Sequence, residues 1–63
     1  MAIVRVDLAE RSQEEREAII AEMTDVMARH GSRRENVQVL LLEHPTNCWG
    51  HGGITYEKLL AQR

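Results

Sequence analysis

Sixty-three residues carrying a formal net charge of −2 and one cysteine, Cys48, allow a single small domain over 1–63 with no internal disulfide. The eight basic residues are scattered and the only aromatics are Trp49 and Tyr56, so the basic, stacking footprint of a nucleic-acid binder is missing. No apolar run approaches the roughly 20 residues of a membrane span, and the N-terminus lacks signal-peptide zones, which leads us to expect a cytoplasmic protein with Cys48 as a free thiol.

The first predicted element is Ala2–Leu8, where Val4, Val6 and Leu8 alternate with Arg5 and Asp7, the period-2 pattern of a strand with one buried face. Ser12-Gln13-Glu14-Glu15 then reads as a capping box opening a helix from Gln13 to about His30. Its apolar stripe is Ile19, Ile20, Met23, Val26, Met27 and His30. Acidic residues crowd its start, where the macrodipole favours them, and Gly31 is a left-handed stop.

After a connector at 32–36, Val37 to Leu42 is apolar on both faces except at Gln38, as suits a strand buried on two sides. Strand, helix and strand make a crossover unit whose strands should be parallel. One helix covers only one face of a two-stranded sheet, so the other apolar face should meet another copy of the chain. A chain this short hides only about 60% of its unfolded surface, which points the same way: partner subunits or a metal must supply stability. Beyond a turn at 44–48, Trp49-Gly50-His51-Gly52-Gly53 predicts a tight hairpin, and 54–63 a strand tail or short terminal helix.

Several short motifs, in order, resemble the 4-oxalocrotonate tautomerase family: Ile3-Val4-Arg5-Val6-Asp7-Leu8, Arg11-Ser12 opening the helix, Val37-Gln38-Val39 leading into Glu43, and Trp49-Gly50-His51-Gly52-Gly53. The resemblance covers about residues 2–55. It implies an α+β fold: a β-α-β subunit with parallel strands and a C-terminal β-hairpin, assembled into a homohexamer as a trimer of dimers. It also implies proton transfer on small enol or oxo acids by an N-terminal proline amine. An α-amino group ordinarily titrates at about 8, and an apolar pocket or nearby arginines lower such a value because both disfavour the ammonium.

Ala2 stands where the family has that proline. Loss of Met1 would expose a primary amine there; retention would move the amine outward by up to about 3.8 Å. Arg11 matches the arginine that holds a substrate carboxylate, after a loop one residue shorter than the family pattern and with Glu10 in place of a glycine. Gln38 stands where a second arginine is usual, which favours a monoacid over a dicarboxylate, and Trp49 where an aromatic lines the pocket. The resemblance therefore implies a site at a subunit interface, with Ala2 and Arg11 catalytic and Gln38 and Trp49 substrate-binding, binding a small carboxylate without a cofactor.

Read from residue type alone, Arg11 is a solvated arginine beside a cap, Gln38 an interface hydrogen-bonder, and Trp49 an interface or core residue. Asp7, Glu10 and Glu43 read as solvated charges. His44, Cys48 and His51 are loosely spaced for a metal but lack a fourth ligand. The competing functional reading is a non-catalytic oligomeric binding or interaction module.

Overall fold

The computed structural model describes residues 1–62. Strand β1 (Ala2–Leu8), helix α1 (Gln13–Arg29) and strand β2 (Val37–Glu43) form the body. The two strands pair in parallel with no bulge, from Ala2 opposite Val37 to Leu8 opposite Glu43. A short 3₁₀ turn at Arg34–Asn36 leads into β2, and the ion pair of Arg34 with Asp25 ties that turn to α1.

Both ends of α1 are closed by the chemistry the sequence offers. The Ser12 hydroxyl accepts from the Glu15 N–H at 3.2 Å, and the Glu15 carboxylate accepts from the Ser12 N–H at 3.2 Å. At the other end Gly31 takes φ 104°, while the Ser32 N–H reaches the Met27 carbonyl at 3.1 Å and the Gly31 N–H the Ala28 carbonyl at 3.4 Å. Those two bonds make a Schellman motif. The half-buried positions of the helix are Arg16, Ile19, Met23, Thr24, Val26, Met27 and Ala28; Ile20 and the cap residue His30, assigned to the stripe from spacing, are exposed.

Beyond β2 the chain makes a 3₁₀ turn at Thr46–Cys48, then strands β3 (Gly50–His51) and β4 (Ile54–Thr55) and helix α2 (Tyr56–Ala61). Gly52 at φ 63° and Gly53 at φ 90° form the two-residue hairpin, and positive φ at both central positions is why two glycines stand there. Strand tail and terminal helix, alternatives in the sequence, are both present. The Trp49 and Tyr56 rings stack at 5.1 Å, and the Tyr56 N–H donates to the Trp49 carbonyl at 2.7 Å. This C-terminal arm packs chiefly on itself and on the 46–48 turn, while α1 packs on β2.

The result is an elongated body of 44 × 23 × 16 Å with a radius of gyration of 15.0 Å, where a compact chain of this length would have about 11 Å. Its accessible surface is 4971 Å²; a compact monomer of 7.2 kDa would expose about 4,100 Å². Leu8, 8% exposed, is the one buried hydrophobic residue among those described. Side chains alternate across the sheet, so β1 and β2 send Val4, Val6, Val39 and Leu41 toward the helix layer and Ile3, Arg5, Asp7, Gln38, Leu40 and Leu42 to the other face. On that open face Ile3 is 60% and Leu40 51% exposed.

Burying an aliphatic side chain of this size is worth roughly 1.5–3 kcal/mol, a gain that a second copy seated on this face would supply. Leu40→Glu, at the centre of the open face, is therefore expected to shift the assembled protein to smaller species in sedimentation velocity, with loss of helical circular dichroism. A variant that kept wild-type mass and helicity would contradict this role for the face.

Candidate active site

The parallel pairing places the four residues implied by the family resemblance at opposite ends of one sheet. Ala2 begins β1, half-buried and paired with Val37, while Gln38 is exposed one step along and paired with Ile3. Because side chains alternate, Ala2 and Gln38 share an end of the sheet but belong to opposite faces. Arg11 and Trp49 lie past the other end, beyond Leu8 and Glu43. A strand rises about 3.3 Å per residue, so the length of β1 separates the two pairs by roughly 20 Å. No single copy of the chain brings all four into one pocket.

The end carrying Arg11 is organised by Glu43, which the sequence suggested was a solvated charge. Its side chain is only 22% exposed, with Oε1 2.7 Å from one terminal nitrogen of Arg16. Oε2 accepts from Arg16 Nε at 2.8 Å and from the Arg11 backbone N–H at 2.9 Å. Two hydrogen bonds side by side from one guanidinium are the strong, geometrically specific form of this pair. They join the first turns of α1 to the end of β2 and pin the 9–12 loop.

The Arg16 and Arg11 hydrogen bonds hold the Glu43 carboxyl below its ordinary range, and the bond to Glu43 raises the Arg16 guanidinium. The Ser12 cap lowers Glu15. Arg16 escaped the sequence reading, although a signal was there: a lone cation among Glu14, Glu15 and Glu17 at a helix start opposes the macrodipole and calls for an acidic partner.

Arg11 itself is exposed, and among the described residues its guanidinium takes no hydrogen bond or ion pair; only its backbone is engaged. Trp49 is half-buried. It lines a cleft of about 330 Å³ together with Asp7, His44, Cys48 and Gly50, a size within the usual range for small-molecule sites. In this cleft His44 Nε2 lies 2.9 Å from Asp7 Oδ1, so Asp7 is a paired carboxylate and not merely a solvated one. Nothing in the spacing of residues 37 positions apart announces that pair; the strand register creates it. Among the described residues no three His, Cys, Asp or Glu side chains form a group able to hold a metal, and His51 does not line the cleft.

Glu43 gives this arrangement a pH signature. Its carboxyl binds protons less readily folded than unfolded, so the unfolded state holds more protons between the two values and stability falls as pH drops through them. The contribution is complete above the ordinary glutamate value of about 4.3. Glu43→Gln is expected to be less resistant to denaturant than wild type at pH 7, with the difference shrinking toward pH 3. A constant difference from pH 7 to pH 3 would show that the charge of Glu43 does not anchor the loop.

Comparison with known proteins places these features in context. The Tautomerase family, described as tautomerase enzyme, matches residues 3–58. The chain is similar to TomN, a 4-oxalocrotonate tautomerase homologue of the tomaymycin biosynthetic pathway, at 31% identity, 94% coverage of both chains and a TM-score of 0.88. A second 4-oxalocrotonate tautomerase homologue is 29% identical over 90% of this chain and 94% of its own, at a TM-score of 0.83. A heterohexameric 4-oxalocrotonate tautomerase from Chloroflexus aurantiacus, 24% identical over 94% of this chain and 98% of its own, shares the fold at a TM-score of 0.83. No curated protein sequence matches. With the β-α-β body, the parallel register and the C-terminal hairpin all in place, the chain belongs to the tautomerase family.

Proposed function

We propose that this chain is the subunit of an oligomeric isomerase that moves a proton between oxygen and carbon, or between carbons, of a small enol or oxo acid. The observation that carries the reading is the separation of Ala2 and Gln38 from Arg11 and Trp49 by the length of β1, in a subunit whose sheet leaves one apolar face open. Only apposed copies bring the two ends together, so the site is built between subunits. A homohexamer made as a trimer of dimers accommodates this, with sheets paired through Ile3 and Leu40. The C-terminal arm, which packs little on its own body, reaches a neighbour.

In this site each residue has a distinct task. With Met1 removed, the primary amine of Ala2 is the base that takes the proton and returns it. Arg11, its guanidinium unengaged and its backbone fixed by Glu43, holds the substrate carboxylate as a two-point fork. Gln38 contributes an amide and no charge, which selects a monoacid or a neutral carbonyl over a dicarboxylate. Trp49 walls the pocket against water, and exclusion of water favours the neutral, basic form of the amine.

The reading is tested with 2-hydroxymuconate and phenylenolpyruvate, following ketonisation in the ultraviolet. Protein with Ala2 as its first residue is expected to accelerate ketonisation, and an acetylated N-terminus to bring the rate down by about 100-fold or more, the scale of a lost general base. Equal rates from the free and acetylated proteins would rule out the amine as the base.

A further inference from the structure

The Trp49 cleft contains a pair of side chains that neither the amine nor the Arg11 anchor uses. His44 is fixed twice: its backbone N–H donates to the Leu8 carbonyl at 2.9 Å, and its Nε2 meets Asp7 Oδ1 at 2.9 Å. Asp7 is carried by β1 and has Arg5 on its other side, Nε to Oδ2 3.7 Å. An imidazole held by a strand-borne carboxylate, in a cleft of about 330 Å³ walled by an indole, has the parts of a general acid–base site.

We propose that His44, aligned by Asp7, is a proton-transfer group of this cleft, acting on the small enol and oxo acids assigned above. The inference rests on the isomerase reading but does not need the N-terminal amine. A carboxylate can only accept hydrogen bonds, so Asp7 selects the imidazole tautomer protonated on Nε2 and leaves the Nδ1 lone pair as the base.

In ketonisation Nδ1 takes the enol O–H proton, the oxygen's bonding pair becomes the carbonyl π bond, and the C=C pair becomes available at carbon. The imidazolium then returns a proton to that carbon, so one proton has moved from oxygen to carbon and the imidazole is neutral again. Asp7 stabilises the imidazolium between the two transfers. The charged and titratable groups near His44 in this cleft are Asp7, Arg5 beyond it, and Cys48.

The test compares wild type, His44→Gln, Asp7→Asn and His51→Gln, each with a free and an acetylated N-terminus, using phenylenolpyruvate. His44→Gln is expected to lower kcat by about 100-fold whether the N-terminus is free or acetylated. Asp7→Asn should lower kcat with little change in KM, and His51→Gln, outside the cleft lining, should leave the rate unchanged. Nitrogen-15 spectra of the wild-type His44 ring should show the Nε2-protonated tautomer, redistributed in Asp7→Asn.

A wild-type rate in His44→Gln, with loss only on acetylation, overturns the proposal and leaves the amine reading standing. Loss in His44→Gln with no effect of acetylation upholds it and removes the amine from the mechanism. No turnover by any form overturns both. A wild-type ring protonated on Nδ1 overturns the proposal even where the variants fail to fold.

Discussion

A two-stranded sheet has two faces, and a single helix can cover one of them. Much of the architecture here follows from that arithmetic. The 17 residues of α1 shield Val4, Val6, Val39 and Leu41, which leaves Ile3 and Leu40 exposed on the other face. The dimensions say the same in a different way: the subunit is flat and long, exposes more surface than a compact chain of its mass, and among the described residues buries one hydrophobic side chain, Leu8. Such a body is one layer of a larger core. Its stability is then a property of the assembly, and so is the proposed site, whose four residues stand at opposite ends of the sheet.

Within the subunit, the Glu43 carboxylate sets the position of the end that carries Arg11. Three hydrogen bonds from Arg16 and the Arg11 backbone converge on it. The short 9–12 loop is therefore tied to the sheet by a side chain of the next strand, and among the described residues the Arg11 guanidinium is left unengaged. Glu43 spends its charge on position. That division between a fixed backbone and a free guanidinium suits the proposed role of Arg11 as a carboxylate anchor.

How much was legible in advance depended on the range of the interaction. The capping box at Ser12 and Glu15, the stop at Gly31 and the two-glycine hairpin are local, and each could be read because its chemistry is complete within a few residues. Parallel pairing of β1 and β2 also followed, since a helix between two strands leaves little alternative. What escaped were the contacts made by register: Glu43 with Arg16 and Arg11, and His44 with Asp7. Both depend on which β2 residue lies opposite Leu8, and one residue of slip would turn the strand over. The candidate site was named from family likeness as four residues; that they divide two and two along β1 emerged only with the strands in place.

The central claim, that the open face of the sheet needs a second copy of the chain, is tested most directly by the concentration dependence of unfolding. If folding and assembly are one event, the urea midpoint followed by circular dichroism must rise as protein concentration is increased over two or three orders of magnitude, because mass action then favours the folded oligomer. The account predicts that rise, together with loss of helix on dilution. A midpoint independent of concentration, with a folded monomer in sedimentation equilibrium, would contradict it.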